Sequence, residues 1–254
     1  MEYFVDKDSI VRQIWGKADT ILFIFAGASA EFALNKAVDW LYFTGRLPAD
    51  PLGRLFSTVS YAREIVFSEK DEALCAIEHI NAIHNSVEKS RSAKIPDWAY
   101  RDVLFMLIDY SIRSFELLER RLTLAEKQEV FEVFFRVGKH MNLKDLPETF
   151  RSFEKMRQIH LHQDLYYGEY TRDLFRQYRK HLGFGRFQLL RETQKLICPK
   201  KVRHFLALKG ILLLKPAIFF FKISRSIKID GLLKRLILPS SYKKEIRSLN
   251  SLPV

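Results

Sequence analysis

Apolar residues recur three and four positions apart through most of this chain, and that period leaves little room for anything but helices. The pattern is clearest after residue 68. Ala73, Ile77, Ile80, His84 and Val87 are separated alternately by four and three, so they share one helix face. Ser68 followed by Asp71 reads as the start of that helix, a hydroxyl N-cap with a carboxylate at the third helical position. The face is apolar except for His84. An imidazole on such a stripe either satisfies itself within the core or binds something there. Alternating strand patterns of useful length are absent, and there is no internal repeat or low-complexity tract. The expected fold class is all-α.

Charge divides the chain. Residues 195–254 hold 14 Lys and Arg against 2 Asp and Glu, so the whole formal surplus of +12 lies there and the first 194 residues balance. A neutral body with a basic end argues against nucleic acid as a partner of the whole chain, and favours an anionic membrane surface as a partner of the end. We therefore expect a helical domain over 1–195 and a basic amphipathic helical extension over 196–254. Within the extension, FLALKGILLLKPAIFFF (205–221) is apolar but interrupted by Lys209, Lys215 and Pro216, which makes a membrane crossing improbable. It packs on the body, or Lys209, Lys215, Lys222, Arg225, Lys228, Lys234 and Arg235 face anionic headgroups while Phe and Leu enter the interface. The N-terminus MEYFVDKDSIVR lacks the shape of a signal peptide, so a cytoplasmic protein, peripheral at the membrane, is expected. The two cysteines, Cys75 and Cys198, form no CxxC spacing; Cys75 reads as a small core filler.

In order, Asp8 or Ser9 caps a first helix with Ile10, Val11, Ile14 and Trp15 inward. ILFIFAGASA (21–30), flanked by Asp19 and Glu31, is a buried helix too short to span a bilayer. Its small residues Ala26, Gly27, Ala28, Ser29 and Ala30 admit a close neighbour, either another helix or a flat cofactor. GRLPADPLG (45–53) is a loop, with Arg54 opening the next helix. Helices are expected over 97–121, from Thr123 and Glu126 (a capping box) to about 141, from Pro147 to about 163, and over 169–181 and 186–195, the last two parted by Gly183 and Gly185. Asp109–Arg113 and Glu116–Arg120 are expected as i, i+4 pairs on the outside.

Few residues promise chemistry. No GxSxG, P-loop, GxGxxG or HExxH occurs. His160 and His162 are two apart and diverge on a helix, so they read as surface or packing residues. What remains by elimination is Arg54, Thr58 and His84.

These residues also carry a family resemblance. RLFST (54–58), followed by AIHNSVE (82–88) with its His thirty residues after the Arg, resembles the catalytic domain shared by the latex-clearing rubber oxygenases and the mycophenolic-acid-pathway oxygenase. AGASAEF, RLPADPLGRL and RDVLFMLIDYSIRSFELLER support the likeness, which spans roughly residues 10–165. The resemblance implies an all-helical fold, globin-like at its centre, holding haem b with a histidine as axial ligand to the iron. It implies His84 as that metal ligand, and Arg54 and Thr58 as catalytic or cofactor-binding residues lining the opposite side of the pocket or its propionates. Gly27 and Ala28 would let the macrocycle approach. The implied activity is oxygenation of a hydrophobic, unsaturated small molecule with O2; the alternative is a non-catalytic helical protein, haem-binding or peripheral at the membrane. Where rubber oxygenases carry a lysine before the Thr, this chain has Ser57, a poor iron ligand. Asp39 stands near the place of the acidic residue implied as a base.

Overall fold

The computed structural model describes residues 2–45 and 49–210, together with Leu214, Pro216 and Ile218. Its elements are α1 (Ile10–Trp15), α2 (Ala18–Phe32), α3 (Val38–Phe43), α4 (Pro51–Phe67), α5 (Lys70–Arg91), α6 (Asp97–Leu118), α7 (Leu124–His140), α8 (Phe150–Gln163), α9 (Glu169–Ile197) and α10 (Lys200–Phe205). Among the described residues there is no strand, only two isolated bridges, Tyr3 with Glu69 and Asn35 with Leu165. The fold is all-α, as the periodicity requires.

Local chemistry sets the helix ends. Ser9 Oγ accepts from Val11 N–H (3.0 Å) to cap α1, and Thr123 with Glu126 forms the full capping box of α7. Helix α4 begins three residues before Arg54, inside the expected loop, because Pro51 suits a first turn and Asp50 accepts from Gly53 N–H (2.9 Å). Ser68 ends α4 instead of capping α5. The cap is Glu69, because Lys70 N–H is taken by the Glu2 carbonyl (2.9 Å) of the N-terminal segment. Helix α8 starts at Phe150 and not at Pro147, since Thr149 and Ser152 satisfy each other's backbone N–H groups there. In α9 the chain breaks from helical geometry at Gly183 (φ +74°), a conformation open to glycine, so the expected division is present as a kink.

Helices α2 and α6 lie along one another at the centre, with α9 against α2, α7 against α6, and α4 paired with α5. Trp15, Ile21, Ile24, Ile77, Ile108, Leu118, Leu174 and Ile197 are fully buried between them. At about 1.5–3 kcal/mol for each large apolar side chain, this shared core is what holds helices of such modest length together. The centre is tight. A Cβ on Gly27 would stand 2.2 Å from Cδ1 and Cε1 of the fully buried Tyr110, so the glycine exists to admit that ring. Gly27→Ala is expected to push α2 off α6 and cost about 1–3 kcal/mol, read by urea denaturation. An unchanged midpoint would contradict the close approach.

The structure corrects three local expectations. Cys75 is exposed; Ala76 is the small residue that α5 turns inward. Glu116 pairs with Lys127 (2.9 Å), while Arg120 is drawn to the capping carboxylate of Glu126 (2.6 Å). Asp109–Arg113 forms (2.7 Å), but Asp109 is turned to the buried Arg157 and not outward. Past residue 195, Ile197, Cys198, Val202, Leu206 and Leu208 are buried, so the chain stays within the body to Leu208. The remaining lysines and arginines expected on the membrane face, from Lys215 onward, lie outside the described residues. No described helix is long and apolar enough to cross a membrane.

Candidate functional site

Helices α4 and α5 form an antiparallel pair joined at Ser68 and Glu69. Arg54 lies fourteen residues before Ser68 and His84 fifteen after Glu69, each about 22 Å along its own arm. The thirty-residue separation is therefore a geometric device: it brings the two side chains level across the hairpin. Thr58 sits one turn from Arg54 on the same face, its Oγ1 donating to the Arg54 carbonyl (3.2 Å). Ser57 Oγ donates to the same carbonyl (2.8 Å) and accepts from Arg54 Nη1 (3.4 Å).

The inward face of α5 opens along its length. Ala73 and Ile77 are fully buried, whereas Ile80, His84 and Val87 are half-buried. The His84 imidazole lies against the Tyr100 ring from α6, with centroids 4.9 Å apart. Its Nδ1 is buried and makes no hydrogen bond. Burial, and then the positive charge of Arg54, lower the His84 pKa to about 4, against a smaller opposing effect of Glu88. The structure thus sets Arg54 near a buried imidazole whose Nδ1 makes no hydrogen bond, while Thr58 lies one turn along α4 and bonds the Arg54 carbonyl. Gly27 faces Tyr110, and Ala28, half-buried, packs against the core from α2. Asp39 pairs with Arg91 (2.8 Å), two turns beyond His84 on α5, and that guanidinium stacks over Trp40 (4.1 Å).

A second polar centre lies between α2, α6 and α8. Glu31, fully buried, accepts from Arg157 Nη1 and Nη2, from His160 Nε2 (2.7 Å) and from the Tyr110 hydroxyl (2.9 Å). Arg157 also binds Asp109 Oδ2 (2.9 Å), whose other oxygen holds Arg113 (2.7 Å). On the far side of His160, Nδ1 stands 2.7 Å from Asp102 Oδ1 and 3.7 Å from Asp164 Oδ2, and Asn35 donates to Asp102 Oδ2 (2.8 Å). Burial alone would lower the His160 pKa, but Asp102 and Glu31 outweigh it and raise it to about 9. Burial would likewise raise Glu31, yet Arg157 and His160 hold it well below the carboxylate range. His160 is thus an imidazolium clamped between two carboxylates. Asp102, His160 and Asp164 each present a ligand atom within 4.8 Å of the others, a spacing that a cation would tolerate. His160 Nδ1 faces the Asp102 and Asp164 carboxylates without a hydrogen bond of its own. His162, by contrast, is exposed.

The chain matches the family described as ER-bound oxygenase mpaB/B'/rubber oxygenase, catalytic domain, over residues 13–218. It belongs to that oxygenase family. The match runs from α1 past α10, so both the His84 hairpin and the buried charge centre fall within the oxygenase domain. No individual curated protein matches the chain. For this oxygenase-family chain, sequence reasoning singled out Arg54, Thr58 and His84; it gave no role to Glu31, Asp102 or Arg157, and read Asp109 as an outside pair and His160 as a surface or packing residue. Signals were present in Glu31 at the end of an apolar helix, in the seven-residue step from Asp102 to Asp109, and in Arg157, His160 and Asp164 at steps of three and four.

Proposed function

We propose that the protein is a haem b-dependent oxygenase acting with O2 on a hydrophobic, unsaturated small molecule. One observation carries this: His84 is a neutral imidazole whose buried Nδ1 has no partner, level with Arg54 on the paired helix. Iron takes a neutral imidazole, and burial beside the Arg54 charge keeps His84 in that form. In this reading His84 would hold the iron, Arg54 would pair with a propionate, and Thr58 would add a hydroxyl contact beside it. Ser57 offers no strong ligand from α4. Ala28 is the small wall residue, while the space beside Gly27 belongs to Tyr110. A globin-like centre is part of the same proposal. Haem, when bound, supplies the oxygen chemistry; the chain fixes the ligand, anchors the charges and keeps the surroundings apolar. Reconstitution with haem tests this. A Soret band with O2-dependent turnover of unsaturated lipophiles supports an oxygenase. A Soret band without turnover favours the haem-binding alternative.

We further propose that the basic C-terminal region attaches the protein to anionic membrane on the cytoplasmic side. Residues 211–254 alone hold nine Lys and Arg against two acids among many Leu, Ile and Phe, and the family description itself names ER-bound members. Liposome flotation should rise with anionic lipid, fall with salt, and largely disappear on truncation after Gly210, which leaves the buried residues to Leu208 in place. Equal flotation of the truncated chain would remove the tail from the account.

A further inference from the structure

Glu88 follows His84 by one helical turn, on the same face of α5. A carboxylate there is well placed to accept from a histidine Nδ1–H, the usual partner of a ligating imidazole. It does not do so. Glu88 Oε1 instead accepts from Ile95 N–H (2.9 Å) and from the Tyr100 hydroxyl (3.1 Å). The route to this is local. Ser92 adopts a left-handed conformation (φ +52°) that ends α5 and turns the chain, bringing Ile95 back beside Glu88 and starting α6 so that Tyr100 lies over His84. Tyr100 therefore does two things at once. Its ring lies tilted against the imidazole, and its hydroxyl, together with Ile95 N–H, holds Glu88 by Oε1. The buried Nδ1 is left without an acceptor.

We propose that Tyr100 and Glu88 are positioning residues that set the donor character of His84: by holding the Glu88 carboxylate away from Nδ1, Tyr100 keeps the ligand a neutral imidazole instead of one with imidazolate character. The inference rests on His84 being the haem ligand. A carboxylate on the far nitrogen makes an imidazole a stronger donor and favours ferric over ferrous iron, so the reduction potential reports which state is present.

The test uses the full chain with Tyr100→Phe, which keeps the ring and loses the hydroxyl, Glu88→Gln, and the double variant. In haem-loaded protein, Tyr100→Phe is expected to shift the reduction potential to a more negative value. Glu88→Gln should not, and adding it to Tyr100→Phe should restore the wild-type value, a rescue that lost packing alone does not produce. In haem-free protein, 15N-labelled on histidine, Tyr100→Phe should move the His84 Nδ1–H proton downfield and slow its exchange with water, with reversal in the double variant. Unchanged potential and unchanged His84 signals in Tyr100→Phe overturn the proposal. If no variant takes up haem, the oxygenase reading fails, and the histidine signals still decide whether Tyr100 holds Glu88 off.

Discussion

Arg157→Leu is expected to lower stability at neutral pH by about 3–5 kcal/mol, the cost of removing one partner from a buried ion pair. The substitution strands Glu31, which is fully buried on α2, and weakens the hold on Asp109 from α6. Because the lost contacts join three helices at the centre, the unfolding midpoint should fall without a change in the denaturant slope. His160 gives the same centre a pH signature. Its pKa is raised from the ordinary 6.5 to about 9, so its contribution to stability is complete below about 6.5 and is lost as pH climbs through about 9. Glu31 behaves oppositely: its pKa is depressed from 4.5, so its contribution is present above 4.5 and is lost as the solution is acidified. Wild-type stability should decline from pH 6.5 to 9, and His160→Gln should flatten that decline. A flat wild-type profile, or a loss below about 1 kcal/mol in Arg157→Leu, would mean that the charges are solvated and not clamped.

How much of this was legible in the sequence differs between the two centres for a physical reason. The hairpin pair is set by distance along the chain. Two helices of equal arm length about Ser68 and Glu69 make Arg54 and His84 neighbours, and a helical period with a turn is visible in a string of letters. The charge centre is set by tertiary packing. His160 became a buried imidazolium because Glu31 and Asp102 approach it from helices 129 and 58 residues earlier in the chain, and no local spacing predicts that. The small residues were ambiguous for the same reason. Gly27 could serve a cofactor or a neighbouring helix, and only the position of the Tyr110 ring shows which neighbour fills it. Helix ends erred where a backbone partner came from far away, as at Glu69, whose helix start is settled by the Glu2 carbonyl.

His84→Ala is expected to abolish or strongly displace the Soret band while leaving helical circular dichroism nearly unchanged. The side chain is half-buried at the open end of α5, so its loss removes little packing, unlike truncation at Ile77. Arg54→Ala should weaken haem retention far less, by about fivefold, since a propionate pair contributes on the order of 1 kcal/mol. The order of severity separates ligation from charge pairing. If His84→Ala lowers the free energy of unfolding by about 2–5 kcal/mol with the spectrum intact, the imidazole is a core residue and the ligand lies elsewhere.

The most direct test is a titration of ferric haem into the haem-free wild-type protein and His84→Ala side by side, followed in the Soret region. Wild type should show a saturable band at one haem per chain, and the variant, equally folded, should show no such band. Uptake that never saturates, or identical curves for both proteins, would contradict His84 as the axial ligand and with it the proposed oxygenase site.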